Sequence, residues 1–308
     1  MNVFKIIIAF LLLYLDLELR TINLSLEKIK KENKNNPYYN KDLNGKLLFM
    51  RHGETVYNAD AHKDPIDCLI NPNYIDSQLN QVGINQAKSK RDILNSLSFE
   101  KVYTSPLYRA LQTLTYSLQN HPNKKNIIVL VHPYVSELAN YIPDYILDIK
   151  KTKKDFNLNS IIKVDWSLFD EYVKGIKYDE NFYYFDNFDC FDEKEKNNMY
   201  LKLKYYYDNG NMKKLKMGLS ELANLRFEAK IRFESLMHAQ GRVIKFIDYI
   251  KKNHKKTMKR INEKILVFSH GSLMAIASNM TRYKSKEIQK FNFQSYSPKN
   301  CEILSYII

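Results

Sequence analysis

The chain has 308 residues, of which 44% are hydrophobic, so it can form a substantial core and is not a wholly disordered protein. Its formal net charge of +14 favours anionic partners, such as phosphorylated metabolites, phosphoprotein, acidic lipid or nucleic acid. The three cysteines are too widely spaced for a disulfide framework or a paired metal site.

The N-terminal region is expected to lie outside the catalytic domain. Ile6 to Leu15 reads IIIAFLLLYL, which is short for a membrane span and is typical of the apolar part of a signal peptide. We favour the secretory pathway or membrane association through residues 3–15, with a docked helix in a cytoplasmic protein as the alternative. A charged, polar linker then leads to a domain boundary, which divides the chain into residues 1–45 and a catalytic domain at 46–308.

The first informative motif follows a short apolar run. Leu47 to Met50 predicts a buried strand, and Arg51, His52 and Gly53 come directly after it. Ligand sites of open α/β sheets lie beyond the carboxyl ends of strands. Arginine can grip two oxygens of a phosphate, and histidine can act as base, acid or nucleophile near neutral pH. This strand end therefore predicts an anion site that contains a reactive imidazole.

Strands and helices alternate through the next segment. Asn80–Leu97 has helical spacing, and Val102–Thr104 predicts a short strand. Ser105, followed by proline, predicts the N-cap of a helix that carries Arg109. Ile127–Val131 predicts another buried strand. This alternation predicts an α/β fold in which helices cover both faces of a parallel or mixed sheet.

The middle of the chain has weaker patterns. Residues 140–215 have no steady period and predict an inserted lid or surface subdomain, with Trp166 and Phe169 as an anchor to the core. Ser220 is predicted to cap a long helix. The basic run at 251–260 is typical of a helix end, so we expect no nucleic-acid partner.

The last motif repeats the layout of the first. An apolar strand at Ile265–Phe268 leads to a turn with His270 and Gly271, and backbone N–H groups at the next helix start can bind an anion. Two His-Gly turns and two arginines would need partners if buried, and a phosphate would supply them. The sequence has no Walker loop, metal cluster or Gly-Xaa-Ser-Xaa-Gly elbow, so we expect no metal and no cofactor.

Taken together, the motifs resemble the histidine phosphatase superfamily, the phosphoglycerate mutase-like group. The matching segments are RHGETVYN at 51–58, DSQLNQVGINQA at 76–87, YTSPLYRALQT at 103–113, SEL at 136–138 and VFSHGS at 267–272. The resemblance implies a three-layer αβα sandwich with a mostly parallel central sheet. It also implies a two-step phosphoryl transfer through phosphohistidine.

The resemblance further implies a role for each matching residue. His52 is the implied nucleophile, and Glu137 is the implied general acid, with Asp60 or Asp64 as alternatives. The implied phosphate contacts are Arg51, Asn58, Arg109 and His270, to which the helix start at Gly271 is added.

The residues after Glu137 favour one activity within the family. Leu138, Ala139 and Asn140 stand where true mutases have Arg, Tyr and Gly. We therefore predict a phosphomonoesterase that acts on a small phosphorylated metabolite or a phosphoprotein. A phosphoglycerate mutase and a weakly active phosphate-binding scaffold are the alternatives.

Overall fold

The computed structural model describes residues 43, 45–158, 162–229, 232–255, 263–280 and 298–306. The predicted apolar segment at 3–15 lies outside the described residues, as does nearly all of the linker. No helix in the described ranges is both long and apolar enough to cross a membrane.

The core of the fold is a six-stranded sheet, in the order β4-β3-β2-β5-β1-β6. Five strands run parallel, and β6 pairs antiparallel with β1 at one edge. The sheet is therefore mostly parallel, as predicted. Its strands are β1 (Leu47–Arg51), β2 (Ser98–Thr104), β3 (Ile128–Val131), β4 (Lys163–Asp165), β5 (Glu263–Ser269) and β6 (Ile303–Tyr306).

Helices connect the strands. The first five are α1 (Val56–Asp60), α2 (Pro65–Ile70), α3 (Gln81–Lys88), α4 (Arg91–Asn95) and α5 (Tyr108–Leu118). The later ones are α6 (Ile149–Leu158), α7 (Ser167–Lys174), α8 (Glu193–Asp208), α9 (Met212–Ala229), α10 (Leu236–Asn253) and α11 (Gly271–Met280). Short 3₁₀ turns lie at Pro72–Tyr74, Lys124–Asn126, Pro133–Val135, Ile142–Asp144 and Glu180–Asn187.

The apolar run of β1 explains the three layers. Successive side chains of a strand point to opposite faces, so a fully apolar strand must be covered on both sides. Leu47 and Phe49 pack with α10 and α11, through residues such as Val243. Leu48 and Met50 pack on the other face with α3, α4 and α5. The predicted αβα sandwich is therefore confirmed.

The interval 140–215 contributes both a strand and an aromatic cluster. Its strand β4 pairs with β3 and extends the sheet by one position. Trp166 and Phe169 make an edge-to-face contact of 5.7 Å between ring centroids. Both pack in one buried cluster with Val131 of the sheet, as the predicted anchor requires.

The prediction that Ser220 caps the N-terminus of a long helix is wrong. The helix begins eight residues earlier, at Met212, and Ser220 lies inside it with its hydroxyl donating to the carbonyl of Ile70 at 2.6 Å. The buried Leu215 and Leu219 extend the apolar face of α9 toward its N-terminus. The next helix has its own cap, because the Ser235 side chain accepts the backbone N–H of His238.

Candidate active site

The two His-Gly turns lie side by side. β1 and β5 are parallel neighbours, with Arg51 opposite Ser269 in the register. Both strands therefore end at the same edge of the sheet. The imidazoles that follow, His52 and His270, have ring centroids 5.2 Å apart. Residues more than 200 positions apart in the chain thus meet because the two strands pair in register.

The geometry of His52 leaves one ring nitrogen for chemistry. Its Nδ1 lies 2.7 Å from the carbonyl oxygen of Gly53. A carbonyl only accepts, so Nδ1 carries the proton and Nε2 carries the lone pair. Burial lowers the pKa of His52 well below the ordinary value, and the charges of Arg109 and Arg51 lower it further. His52 is therefore a neutral imidazole that carries its lone pair on Nε2, and it lines a cavity at this edge of the sheet.

His270 lies directly beside His52. It is fully buried, and its Nε2 lies 2.7 Å from the hydroxyl of Ser105. Its Nδ1 has no hydrogen-bond partner among the described residues. Burial, together with Arg109, lowers the pKa of His270 well below the ordinary value. The following residues, Gly271 and Ser272, do line the cavity at the start of α11.

The prediction that Ser105 caps a helix is wrong. The helix α5 begins at Tyr108, and the residue before it makes no side-chain cap. Asp76 accepts the N–H of Tyr108 at 2.9 Å in its place. The Ser105 hydroxyl is thereby available to His270 and to the N–H of Leu107.

Both predicted arginines, Arg51 and Arg109, supply positive charge on the cavity wall, which Arg232 also lines. The Nη1 of Arg51 donates to the carbonyl of Pro298 at 2.5 Å. Arg109, which is almost fully buried, donates to the carbonyl of Pro143 at 2.5 Å and to the carboxylate of Asp144 at 2.9 Å. A Cβ at Gly271 would lie 3.1 Å from the Arg51 guanidinium, so this helix start lies tightly against the cation.

Of the three candidates for the general acid, Glu137, Asp60 and Asp64, Glu137 lines the cavity. One carboxylate oxygen accepts the N–H of Ser272 at 3.2 Å, and the other accepts the N–H of Leu138 at 3.0 Å. The alternatives are used elsewhere and do not line the cavity, since Asp60 pairs with Lys63 and Asp64 caps α2. This placement favours Glu137 over both alternatives.

Asn58 lies at the cavity and also caps a helix. Its side-chain oxygen accepts the backbone N–H of Thr55 at 3.2 Å and the hydroxyl of Thr55 at 3.0 Å. The Thr55 side chain accepts the N–H of Asn58 in return, which completes a capping box. The amide nitrogen is the part of this side chain that can donate to a ligand.

The cavity has a volume of about 320 Å³. Several lining residues were not predicted as site residues: three lie within the matching segments without an assigned role, and the others lie outside those segments. They are Tyr57, Leu138, Asn140, Tyr141, Asp144, Arg232 and Ser272. In the described part of the chain, no group of three His, Cys, Asp or Glu side chains is arranged to hold a metal ion.

Two glycines hold the first motif against α3. Gly53 and Gly83 face each other, and a Cβ on Gly53 would lie 2.5 Å from the carbonyl oxygen of Gly83. A Cβ on Gly83 would overlap the carbonyl of Glu54. The second segment, at 76–87, therefore supports the turn that carries His52 through close backbone contact.

Comparison with known proteins finds the same family that the sequence motifs resemble. Residues 47–130 match the model of the histidine phosphatase superfamily, branch 1. The predicted family resemblance is confirmed. The matched stretch contains Arg51, His52, Asn58 and Arg109, all of which line the cavity.

Named relatives include both mutases and phosphatases. A 2,3-bisphosphoglycerate-dependent phosphoglycerate mutase from Methanococcus vannielii is 31% identical over 32% of this chain and 43% of the relative. The fructose-2,6-bisphosphatase TIGAR of Xenopus laevis is 31% identical over 30% of each chain. The chain thus spans less than half the length of these curated relatives. Among solved structures, a mycobacterial glucosyl-3-phosphoglycerate phosphatase aligns with a TM-score of 0.43 at 13% identity, over 85% of this chain and 97% of that one.

Proposed function

We propose that the chain is a metal-independent phosphomonoesterase that works through a phosphohistidine at His52. The observation that carries the proposal is the orientation of His52. Its Nδ1 is held by the Gly53 carbonyl, so its Nε2 lone pair is the nucleophile beside two arginines in the cavity. The substrate is a small phosphorylated metabolite or a phosphoprotein, and no nucleic-acid partner is expected.

The first step transfers the phosphoryl group to the protein. Arg51 and Arg109 hold the phosphoryl oxygens as negative charge shifts in the transition state. The lone pair of His52 Nε2 forms a bond to phosphorus while the ester P–O bond breaks. The leaving oxygen takes the electron pair of that bond and a proton from Glu137. The imidazole then carries positive charge, which its Nδ1–H···O=C bond to Gly53 stabilises.

The second step releases phosphate. Glu137, now a carboxylate, accepts a proton from a water molecule that attacks phosphorus. The P–N bond breaks, its electron pair returns to Nε2 of His52, and inorganic phosphate leaves. Asn58, His270 and the N–H groups at the start of α11 are proposed as further contacts for the phosphoryl oxygens.

The sequence departure after Glu137 supports hydrolysis over mutase activity. The residues that follow it, Leu138 and Asn140, line the cavity and are uncharged, whereas the mutase motif has an arginine after the acid. A phosphoglycerate mutase remains the second candidate, because named relatives include such enzymes. Interconversion of 2- and 3-phosphoglycerate would separate the two.

The test uses the purified protein and para-nitrophenyl phosphate in the presence of EDTA. We expect turnover by the wild type, an acid-labile phosphate on His52 after rapid quenching, and neither in His52→Ala. The matched control is His62→Ala, because His62 is exposed and does not line the cavity. Full activity of His52→Ala, an acid-stable phosphate, or loss of activity with EDTA would contradict the proposal.

Two further parts of the proposal rest on the sequence. The catalytic domain is proposed to occupy residues 46–308, with an insertion at 140–215. Residues 3–15 are proposed to direct the protein to the secretory pathway or to a membrane. A cytoplasmic protein with this segment docked on the domain is the alternative.

A further inference from the structure

A buried arginine outside the proposed catalytic set lies directly behind the loop that carries Glu137. Arg242, on α10, is 3% exposed. Its Nη1 donates to the carbonyls of Tyr134 at 3.0 Å and Ser136 at 3.2 Å. Its Nη2 makes a longer contact of 3.5 Å to the carbonyl of Glu137. This one side chain therefore binds the backbone of Glu137 and of the residues before it.

The same guanidinium is held on its other side by a carboxylate. Its Nε donates to one oxygen of Glu234 at 2.6 Å, and its Nη2 donates to the other oxygen at 2.9 Å. An arginine has five N–H donors, and these five contacts give each of them an acceptor. The orientation of Arg242 is therefore fully determined by its surroundings.

Glu234 and Asn140 connect the two segments a second time. The second oxygen of Glu234 accepts the N–H of Ala139 at 3.3 Å. The side-chain oxygen of Asn140 accepts the N–H of Phe233 at 2.9 Å and that of Glu234 at 3.3 Å. The loop on both sides of Glu137 is thus fastened to the start of α10.

The pair is costly to bury. Glu234 is fully buried, so desolvation opposes its charge, but Arg242 and His238 hold its pKa below the ordinary value. Buried ion pairs often add little net stability compared with well-packed apolar residues. Stability alone is therefore a weak reason for this arrangement, and a role in geometry is the better explanation.

The carboxylate of Glu137 is held from the opposite direction. It accepts the N–H of Ser272 at the start of α11, a residue that lines the cavity. Its backbone is held from α10, and its side chain is held from α11. A change on the α10 side would move the carboxyl group relative to His52 without removing any group that lines the cavity.

We propose that Arg242, with Glu234 as its partner, is a positioning residue that holds Glu137 in place for proton transfer to the leaving oxygen. This inference rests on the proposed function, in which Glu137 is the general acid. Arg242 does not line the cavity and makes no contact with the substrate in this proposal.

The test compares two substrates that differ in their need for a proton. An alkyl alcohol leaves poorly unless it is protonated, whereas para-nitrophenolate leaves well without a proton. Arg242→Lys keeps the charge opposite Glu234, but one ammonium cannot reproduce the planar fork that reaches three carbonyls. A displacement of the acid by about 1 Å can lower a rate on the order of 10²-fold. We expect that loss in the rate of phosphohistidine formation, measured by rapid quenching, for glycerol 2-phosphate and a much smaller one for para-nitrophenyl phosphate. The second step, in which Glu137 acts as base, is the same for both substrates.

Three further variants make the result specific. In Glu137→Gln the acid is absent, so adding Arg242→Lys should cause no further loss selective for the alkyl phosphate. Lys153→Met is the matched control, because Lys153 joins two carboxylates in the insertion, away from the cavity. It should leave the ratio of the two rates unchanged. If Arg242→Lys does not fold, the paired change Arg242→Met with Glu234→Gln leaves no buried charge alone and takes its place.

The outcomes distinguish a failure of the positioning role from a failure of the proposed mechanism. A selective loss that disappears in the Glu137→Gln background supports positioning by Arg242. An equal loss in the rate of phosphohistidine formation from both substrates, or no loss, overturns it while leaving the proposed mechanism standing. If Glu137→Gln itself slows phosphohistidine formation equally from both substrates, the general-acid assignment fails, and the positioning role fails with it.

Discussion

The strongest test of the phosphate site is the change Arg109→Lys. Arg109 contacts its surroundings through two different nitrogens, one to the carbonyl of Pro143 and one to the carboxylate of Asp144. These two contacts fix the plane of the guanidinium in the cavity wall. Lysine keeps the positive charge but has a single nitrogen. It can pair with Asp144, but it cannot also present two parallel donors to a phosphoryl group.

The expected loss has a catalytic part and a structural part. By analogy with losing one oxyanion donor, transition-state stabilisation should fall by about 2–4 kcal/mol, which corresponds to a loss of roughly 30-fold to 10³-fold in kcat. If the buried carbonyl of Pro143 loses its donor, the free energy of unfolding should fall by about 1–3 kcal/mol. For a chain of 308 residues, that loss lowers the melting temperature by about 1–2 °C per kcal/mol.

The assay is steady-state hydrolysis of para-nitrophenyl phosphate, with thermal unfolding measured on the same samples. Arg91→Lys is the matched control, because Arg91 also donates from a part-buried position to a backbone carbonyl, that of Tyr116, but does not line the cavity. It should lose stability without a comparable loss of kcat. A kcat for Arg109→Lys close to that of the wild type, or a loss no larger than that of Arg91→Lys, would refute the assignment of Arg109 to the phosphate site.

Three other predictions follow from the same geometry. Gly83→Ala should lower the free energy of unfolding by about 1–3 kcal/mol and lower activity, because the added Cβ meets the carbonyl of Glu54. Gly241→Ala is the control, because open space surrounds Gly241, and urea unfolding should show this variant to be neutral or stabilised. The His52 imidazole should remain neutral as pH falls through about 6.5, where free histidine titrates, because burial lowers its pKa. If the NMR resonance assigned to His52, identified by its absence in His52→Ala, titrates near that pH, the prediction is wrong. Deletion of residues 1–40 should leave an active enzyme with a changed cellular location, and loss of folding would show that these residues belong to the domain.

Features that depend on neighbours in the chain could be predicted from the sequence. The apolar run before Arg51 predicts a strand buried on both faces, and β1 is buried on both faces. The two His-Gly turns were expected at strand ends, and they lie at the ends of β1 and β5. Such features are set by the spacing of apolar residues, which is a property of a short segment.

Features that depend on distant partners were decided by the tertiary structure. Ser105 has the local pattern of a helix cap, but the pairing of β2 with β5 brings it to His270, and a hydrogen bond to an imidazole replaces the cap. Asp144 lies in an ordinary turn and becomes part of the site only because it packs against Arg109, 35 positions away. Arg242 and Glu234 lie in none of the segments that resemble the family. A buried charge needs a partner, and packing can bring that partner from any part of the chain. The role of such a residue can therefore be recognised only in the folded structure.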